Sequence, residues 1–168
     1  MSNPPGITFH QLGSGDSVIL HGMLEMFGEA FHEPDTYGNA RPGPTYLTKL
    51  LGSETFIALA AMDGAKVVGG IAAYELRKFE QERSEIYIYD LAVAATHRRL
   101  GVATAMIERL VEIATARGAW VVYVQADGDD EPAIGLYSRL GKLEKVLHFD
   151  IPVPPAPCTR TELGGAAQ

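Results

Sequence analysis

The segment 84–104 constrains the fold more than any other part of the chain. It begins as a strand rich in Ile and Tyr (84–93), passes through a basic turn with Arg98, Arg99 and Gly101, and opens into a long helix predicted over 101–117. A helix N-terminus offers unpaired N–H groups and a partial positive charge, and a glycine lets the backbone approach a ligand. The pattern predicts a pyrophosphate cradle, with a solvated basic turn as the alternative. A Walker loop and a dinucleotide fingerprint are excluded, because Gly-Lys-Ser/Thr is missing and only one glycine is present.

The flanking segments predict the remaining strands and helices. Upstream, we expect a helix that starts after Asp16, an irregular loop over 32–44, a short second helix, and a hairpin of strands 55–61 and 66–76. Downstream, we expect a strand over 120–126 that is buried on both faces, an acidic loop over 127–131, a helix over 132–141 and a last strand over 145–151. Hairpins followed by a strand–helix–strand crossover predict an α/β fold, with a central mixed, twisted sheet and helices on both faces.

Length and composition indicate one globular domain. The chain has 168 residues, of which 46% are hydrophobic and 21% charged. We expect the folded unit to run from Ile7 to Ile151, with loose termini over 1–6 and over the Pro-rich stretch 152–168. No apolar run approaches the ~20 residues of a membrane span, and no secretory signal is recognisable. We therefore expect a cytoplasmic protein that does not bind membranes.

The charge and the cysteine content narrow the class of partner. A net charge of −7 argues against a nucleic-acid partner and fits a cationic small molecule, although many enzymes are this acidic for solubility alone. Cys158 is the only cysteine, which excludes an internal disulfide and a multi-cysteine zinc site. No histidine pair has the spacing of metal ligands, so we predict no metal.

Two motifs carry a family resemblance. Arg98-x-x-Gly101-x-Ala103, preceded by the block 90–93 (Asp-Leu-Ala-Val), resembles the acetyl-CoA loop of the GNAT superfamily of N-acetyltransferases. Leu136-Tyr137-x-x-x-Gly141 resembles the later helix of that superfamily, with its tyrosine. The blocks 55–61, 78–81, 84–93, 123–127 and 148–151 are similar to the gentamicin-type aminoglycoside 3-N-acetyltransferases. Gly128, the loop around 34–44 and the Pro-rich tail depart from that pattern, which bears on which aminoglycosides fit.

The resemblance implies a GNAT fold, acetyl-CoA as cofactor, direct transfer of acetyl in a ternary complex, and a homodimer. It implies that the backbone of Leu91, Ala92 and Val93 lies along the pantetheine arm, with the Val93 N–H at the thioester oxygen. It also implies that the turn and the first helical residues hold the pyrophosphate, namely Arg98, Arg99, Leu100, Gly101, Val102, Ala103 and Thr104.

Asp90 and Tyr137 are the candidate catalytic residues. A carboxylate late in the central strand is a suitable acceptor for the proton of an ammonium, directly or through water. Asp90 could instead only order the strand end, and Glu85 is a rival base five residues upstream. Strict alternation places Asp90 on the face of Ile86 and Ile88, unless a bulge intervenes. A tyrosine with a pKa near ~10 can return a proton to a thiolate, and a core tyrosine is the alternative for Tyr137.

The acceptor site is expected to be acidic. Carboxylates bind the ammonium groups of an aminoglycoside by charge-assisted hydrogen bonds. The candidate acids are Asp127, Asp129, Asp130 and Asp150, each of which could also be a solvated surface acid. Three tyrosines could wall the cleft or belong to the core: Tyr74, Tyr87 and Tyr89. A polyamine or a protein amine as acceptor, and a CoA-binding module without catalysis, remain alternatives.

Overall fold

The computed structural model describes residues 4–39 and 41–154, in which five strands form one sheet in the order β1-β2-β3-β4-β5. The strands are β1 (Ile7–Gln11), β2 (Phe56–Asp63), β3 (Lys66–Arg77), β4 (Ser84–Val93) and β5 (Ala119–Val124). The helices are α1 (Ser17–Phe31), α2 (Pro44–Leu51), α3 (Val102–Ala116) and α4 (Glu131–Leu140). A π-helical turn spans Asp35–Asn39, and a 3-10 turn spans Ala95–His97.

The sheet is mixed, as the order of the predicted elements requires. Strands β1 to β4 pair antiparallel, whereas β4 and β5 are parallel and are joined through α3. Gly64 has φ +57 in the turn between β2 and β3, where the sequence predicts a hairpin. The predicted α/β class with a twisted mixed sheet and helices on both faces is therefore confirmed.

Each face of the sheet has its own apolar core. One core joins α3 to the sheet through Val102, Met106 and Leu110, and the other joins α1 and α2 through Met23, Phe27 and Leu47. Both cores are built over the same place on β3, because Gly69 and Gly70 leave room there. A Cβ on Gly69 would lie 3.0 Å from Met106 Cε, and one on Gly70 would lie 2.5 Å from Met23 Cγ.

Strand β5 is the edge of the sheet, and the expectation that it is buried on both faces is wrong. Trp120 is 72% exposed and Val121 is 41% exposed. The reason is that β5 pairs only with β4 in the described part of the chain, so its outer side has no neighbour. None of the helices over residues 4–39 and 41–154 is long and apolar enough to cross a membrane.

The predicted strand over 145–151 is also wrong. Residues 142–154 form neither helix nor strand, and the chain leaves α4 at Gly141 in an extended conformation (φ −146, ψ −174). The fifth strand is instead β1, which the sequence reasoning missed and which pairs antiparallel with β2. Of the predicted loose ends, residues 1–3 and 155–168, with Cys158, lie outside the described residues.

Candidate active site

A β-bulge in β4 decides which way Asp90 points. Ala72 of β3 pairs with Asp90 while Ala73 pairs with Ile88, so Tyr89 is an extra residue without a partner on β3. Ile86 and Ile88 belong to the core under α3, whereas Ala92, two residues after Asp90, belongs to the core under α1. Asp90 therefore lies on the α1 face, and the placement by simple alternation is wrong because of the bulge.

Asp90 is half-buried and hydrogen-bonded. The Tyr37 hydroxyl donates to Asp90 Oδ1 at 3.3 Å. Burial raises the pKa of the Asp90 carboxyl above its ordinary value; the bond from Tyr37 lowers it and the negative charge of Glu33 raises it further. A carboxylate with a raised pKa is a stronger proton acceptor than an exposed one, which suits a general base.

Tyr37 belongs to the site, and the sequence reasoning missed it. The π-helical turn carries Tyr37 back over α1, where its ring packs at 5.9 Å from Phe27 and 5.7 Å from Phe31. Gly28 allows this approach, because a Cβ there would lie 3.3 Å from Tyr37 Cβ. In the sequence, Tyr37 stands in an irregular stretch of Pro and Gly, and no periodicity marks it. Nearby Gly28, with aromatic residues on both sides, is the only signal that could have suggested a close contact.

The two neighbours of Asp90 give opposite predictions for its pKa. Tyr37→Phe removes a donor that stabilises the carboxylate, so we expect the pKa of Asp90 to rise further. Glu33→Gln removes a negative charge, so we expect the pKa to fall. A carboxyl ¹³C titration of Asp90 in each variant measures both shifts, and shifts of equal sign would contradict the arrangement.

Aromatic rings form a continuous row beside Asp90. The successive pairs are Phe56–Tyr74, Tyr74–Tyr89, Tyr89–Tyr87 and Tyr87–Tyr123, with centroids 5.0 to 6.0 Å apart. Tyr89 is 63% exposed, and the Tyr87 hydroxyl donates to Gln125 Oε1 at 2.9 Å. The row therefore offers an amphipathic surface with hydroxyl groups next to the half-buried carboxylate of Asp90.

Beyond the bulge, β4 has a free edge. The pairing of β4 with β5 ends at Ile88 and Val124, so within the described residues no strand faces β4 from Tyr89 to Val93 on that side. Leu91 and Val93 pair with β3 on the other side. An extended ligand can therefore add to the backbone of 91–93, as expected for the pantetheine arm.

The basic turn leads from this free edge into α3. Arg99 (φ +64) and Gly101 (φ +82) adopt left-handed conformations, and the Arg98 Nε donates to the carbonyl of Val93 at 3.1 Å. Gly101 is the N-cap residue of α3, and no side chain from the described part of the chain caps the helix. The first N–H groups of α3, beginning at Val102, thus have no intrahelical partner, and they fit the diphosphate of a CoA-type ligand.

Tyr137 approaches from the opposite face of the sheet to Asp90. It lies on α4 and packs against the core under α3, which also includes Leu91. Burial raises the pKa of the Tyr137 phenol, and the charge of Asp130 adds to the shift. The phenol therefore stays protonated at neutral pH and can donate a proton.

Three of the four acids predicted for the acceptor lie in the loop before α4, and the fourth, Asp150, lies in the segment after it. Asp130 caps α4, since its Oδ1 accepts the N–H of Ala133 at 3.0 Å. Asp127 and Asp129 are exposed in the loop before it. Asp150 is exposed in the segment after α4, where its Oδ1 lies 3.0 Å from His148 Nε2.

The rival base, Glu85, is engaged elsewhere. Its Oε1 lies 3.6 Å from Lys78 Nζ, which also approaches Glu80. Among the described residues, no group of three or more His, Cys, Asp or Glu side chains is placed to hold a metal ion.

The chain is similar to solved acetyltransferase structures over nearly its whole length. An aminoglycoside acetyltransferase, HMB0005, from an uncultured soil metagenomic sample is 56% identical, with a TM-score of 0.87, and the match covers 92% of this chain and 100% of that one. The aminoglycoside acetyltransferase meta-AAC0020, also from an uncultured soil metagenomic sample and solved in complex with sisomicin, is 27% identical. Its TM-score is 0.83, and the match covers 89% of this chain and 97% of that one.

A curated relative and a family model agree with this likeness. N-acetyltransferase family 8 member 2 of Rattus norvegicus is 27% identical over 93 residues, which cover 55% of this chain and 41% of the relative. The chain thus spans about two fifths of that relative. The model of the acetyltransferase (GNAT) family matches residues 20–142, which include α3, β4 and Tyr137. The chain belongs to the acetyltransferase (GNAT) family.

Proposed function

We propose that this protein transfers acetyl from acetyl-CoA to an amine of an aminoglycoside. The observation that carries the proposal is Asp90, a half-buried carboxylate with a raised pKa at the start of the free edge of β4. The 56% identity to an aminoglycoside acetyltransferase supports the class of acceptor. The aromatic row and the charge of Glu33 fit a cationic sugar, because rings pack against its carbon faces and carboxylates attract its ammonium groups.

In this proposal Asp90 prepares the acceptor. Its carboxylate accepts the proton of the ammonium, directly or through a water, so that the neutral amine can attack. Acetyl-CoA, when bound, supplies the acetyl thioester. The Val93 N–H is our candidate donor to the thioester oxygen, and Tyr137 is our candidate donor of the proton to the departing thiolate.

The finer assignments belong to the same proposal. We propose direct transfer with both substrates bound, the 3-amino group as the acceptor, and a role in resistance to gentamicin-type antibiotics. Asp127, Asp129, Asp130 and Asp150 stay proposed contacts of the acceptor. Within residues 4–39 and 41–154, the capping bond to the Ala133 N–H uses Oδ1 of Asp130, and Oδ2 makes no hydrogen bond.

The competing acceptors are a polyamine and a protein amine. A thiol-release assay with acetyl-CoA compares gentamicin, sisomicin, kanamycin, spermidine and a lysine peptide. We expect turnover of the aminoglycosides, and NMR of the product identifies the acetylated amine. Turnover of spermidine or the peptide alone would remove the aminoglycoside assignment, and an acetylated enzyme in the mass spectrum would contradict direct transfer.

Gly101→Ala is expected to weaken CoA binding about 5- to 30-fold. An L-residue at φ +82 costs about 1–2 kcal/mol, and each ~1.4 kcal/mol is a factor of ten in affinity. We expect the turn to relax out of this conformation in the free variant, so that CoA binding has to restore it and the cost lowers the CoA affinity. Calorimetric titration with CoA measures the change.

Gly118→Ala is the matched control. Gly118 also has a left-handed φ (+72) and open space around its Cα, but it follows the other end of α3. We expect the CoA affinity of Gly118→Ala to be unchanged. Equal weakening in both variants would show that the start of α3 does not hold the diphosphate.

A further inference from the structure

The sheet face that carries Asp90 continues onto β5, where the core under α1 and α2 does not reach. Val122 and Val124 pack in the core under α3, so Tyr123, between them, lies on the opposite face, which is the face of α1. The core under α1 and α2 includes residues of β2, β3 and β4 but none of β5. Tyr123 is therefore partly exposed on this part of the sheet.

Tyr87 connects Tyr123 to the proposed acceptor site. The ring of Tyr87 stacks on that of Tyr123, with centroids 5.0 Å apart and planes inclined by 20°. The ring of Tyr89, which precedes Asp90 in the chain, meets the ring of Tyr87 edge-on at 6.0 Å. Each of these steps is similar to the length of one sugar unit. An acceptor with an amine at Asp90 can therefore extend a second, linked ring over Tyr87.

Gln125 is the polar group at this end of the aromatic row. The Tyr87 hydroxyl donates to Gln125 Oε1 at 2.9 Å, and burial raises the pKa of the Tyr87 phenol, so the hydroxyl stays protonated at neutral pH. This bond uses the carbonyl oxygen of the Gln125 side chain, and Nε2 has no hydrogen-bond partner in the described part of the chain. The two N–H groups of Nε2 are thus available to a ligand that carries oxygen acceptors.

The charge of the carboxylate next to this position is offset. Glu85 acts on the phenol of Tyr123, but Lys78 Nζ lies 3.6 Å from Glu85 Oε1 and opposes its effect. Neutral N–H donors bind hydroxyl, ring and glycosidic oxygens, whereas a polyamine offers ammonium groups, which are themselves donors. This end of the row therefore favours a hydroxyl-bearing sugar ring over a polyamine.

We propose that Gln125, positioned by the Tyr87 hydroxyl, donates hydrogen bonds to a second, hydroxyl-bearing ring of the acceptor and so determines a preference for linked rings over a single ring. This role of Gln125 rests on the proposed function, because the first ring is placed by the amine that Asp90 deprotonates. Gln125 contacts the acceptor away from the reacting atoms. Its contribution therefore falls on acceptor binding and not on the chemical step.

The test uses Gln125→Leu with Gln11→Leu as its matched control. Both glutamines are exposed, and Gln11 lies on β1, at the opposite edge of the sheet. Calorimetric titration of the enzyme–CoA complex measures the Kd of kanamycin, an acceptor of linked rings, and of 2-deoxystreptamine, its central ring alone. We expect Gln125→Leu to raise the Kd of kanamycin about 3- to 10-fold, as for the loss of one neutral hydrogen bond. The Kd of 2-deoxystreptamine and the kcat with kanamycin should not change.

Tyr87→Phe tests the positioning of Gln125, because it keeps the ring and removes the hydroxyl. It should raise the Kd of kanamycin and leave that of 2-deoxystreptamine unchanged. A Gln125→Leu or Tyr87→Phe variant that binds kanamycin as tightly as the wild type, or that loses both ligands equally, overturns the assignment, as does equal weakening in Gln11→Leu. Thiol release with kanamycin by the wild type would then still support the proposed function. A wild type that neither binds nor acetylates kanamycin removes both.

Discussion

Asp90→Asn is expected to lower kcat/KM by about 100- to 10,000-fold, the range for losing a general acid–base group, without lowering the free energy of unfolding. The amide cannot accept a proton from the acceptor, although its oxygen still accepts the bond from Tyr37. The stabilisation given by a raised carboxyl pKa is complete below the ordinary value, about 3.9, and is lost as the pH rises through the folded-state value. At neutral pH the ionised Asp90 thus costs the fold free energy, and the neutral amide removes that cost.

Steady-state kinetics and urea unfolding of the same variant test this result, with Glu85→Gln as the control. Glu85 is on the same strand and is also partly buried, but it is paired with Lys78. We expect Glu85→Gln to keep most of the activity. A loss in Glu85→Gln that matches the loss in Asp90→Asn would move the base to Glu85. A fully active Asp90→Asn would leave Asp90 with a structural role only.

Gly70→Ala is expected to lower the free energy of unfolding by about 1–3 kcal/mol, the usual range for overpacking a core. The added methyl would lie 2.5 Å from Met23 Cγ and 3.1 Å from Phe27 Cζ. Both side chains are about 1% exposed, so neither can move into solvent. We therefore expect α1 to shift away from the sheet, and Tyr37 to move with α1 because its ring packs against Phe27.

Gly15→Ala is the control for Gly70→Ala. Gly15 precedes α1, its φ is not left-handed, and a Cβ added there would have no other atom within 4 Å. Urea unfolding should show a loss for Gly70→Ala that Gly15→Ala lacks. The ¹³C-measured pKa of Asp90 should also move in Gly70→Ala, because Tyr37 packs against the displaced helix. Equal stabilities would mean that the core accommodates the methyl by rotating Met23.

Much of the fold could be predicted from patterns of residues that are close together in the sequence. The turn at Gly64, the strand over 84–93 and the helix that follows Gly101 depend on residues close together in sequence, and they were predicted within a few residues. The proposed diphosphate site in 84–104 could also be predicted, because a glycine and two arginines at the start of a helix are close together in the sequence.

The errors concern contacts between distant parts of the chain. An apolar run such as 120–124 looks the same in the middle of a sheet and at its edge, since the difference lies in the neighbour. Apolar and polar residues alternate over 147–153 as in a strand, but such a segment forms a strand only where it can pair with the edge of a sheet. β1 is short and mixed in composition, and its pairing with β2 joins residues some fifty positions apart.

The candidate site was predicted in part, for the same reason. Asp90 and Tyr137 were found from motifs, and their positions on opposite faces of the sheet are compatible with their proposed roles. Tyr37 reaches Asp90 across 53 positions of sequence, from a turn with no regular pattern. The face of Asp90 depended on a bulge, which no alternation rule reveals.

The extra residue at Tyr89 divides β4 into two halves with opposite inside–outside parity. Before it, even-numbered side chains enter the core under α3; after it, odd-numbered ones do, as Leu91 and Val93 show. A straight β4 that kept Tyr89 would turn the carboxylate into the core under α3 and Leu91 toward the acceptor side, whereas deletion of Tyr89 would remove the bulge and leave both on their present faces. When chimaeras with other acetyltransferases are made, the parts of β4 before and after Tyr89 must therefore be aligned separately. Residues 85 and 87 can then be changed to alter the acceptor preference, while the part of β4 that is proposed to bind the cofactor keeps its register.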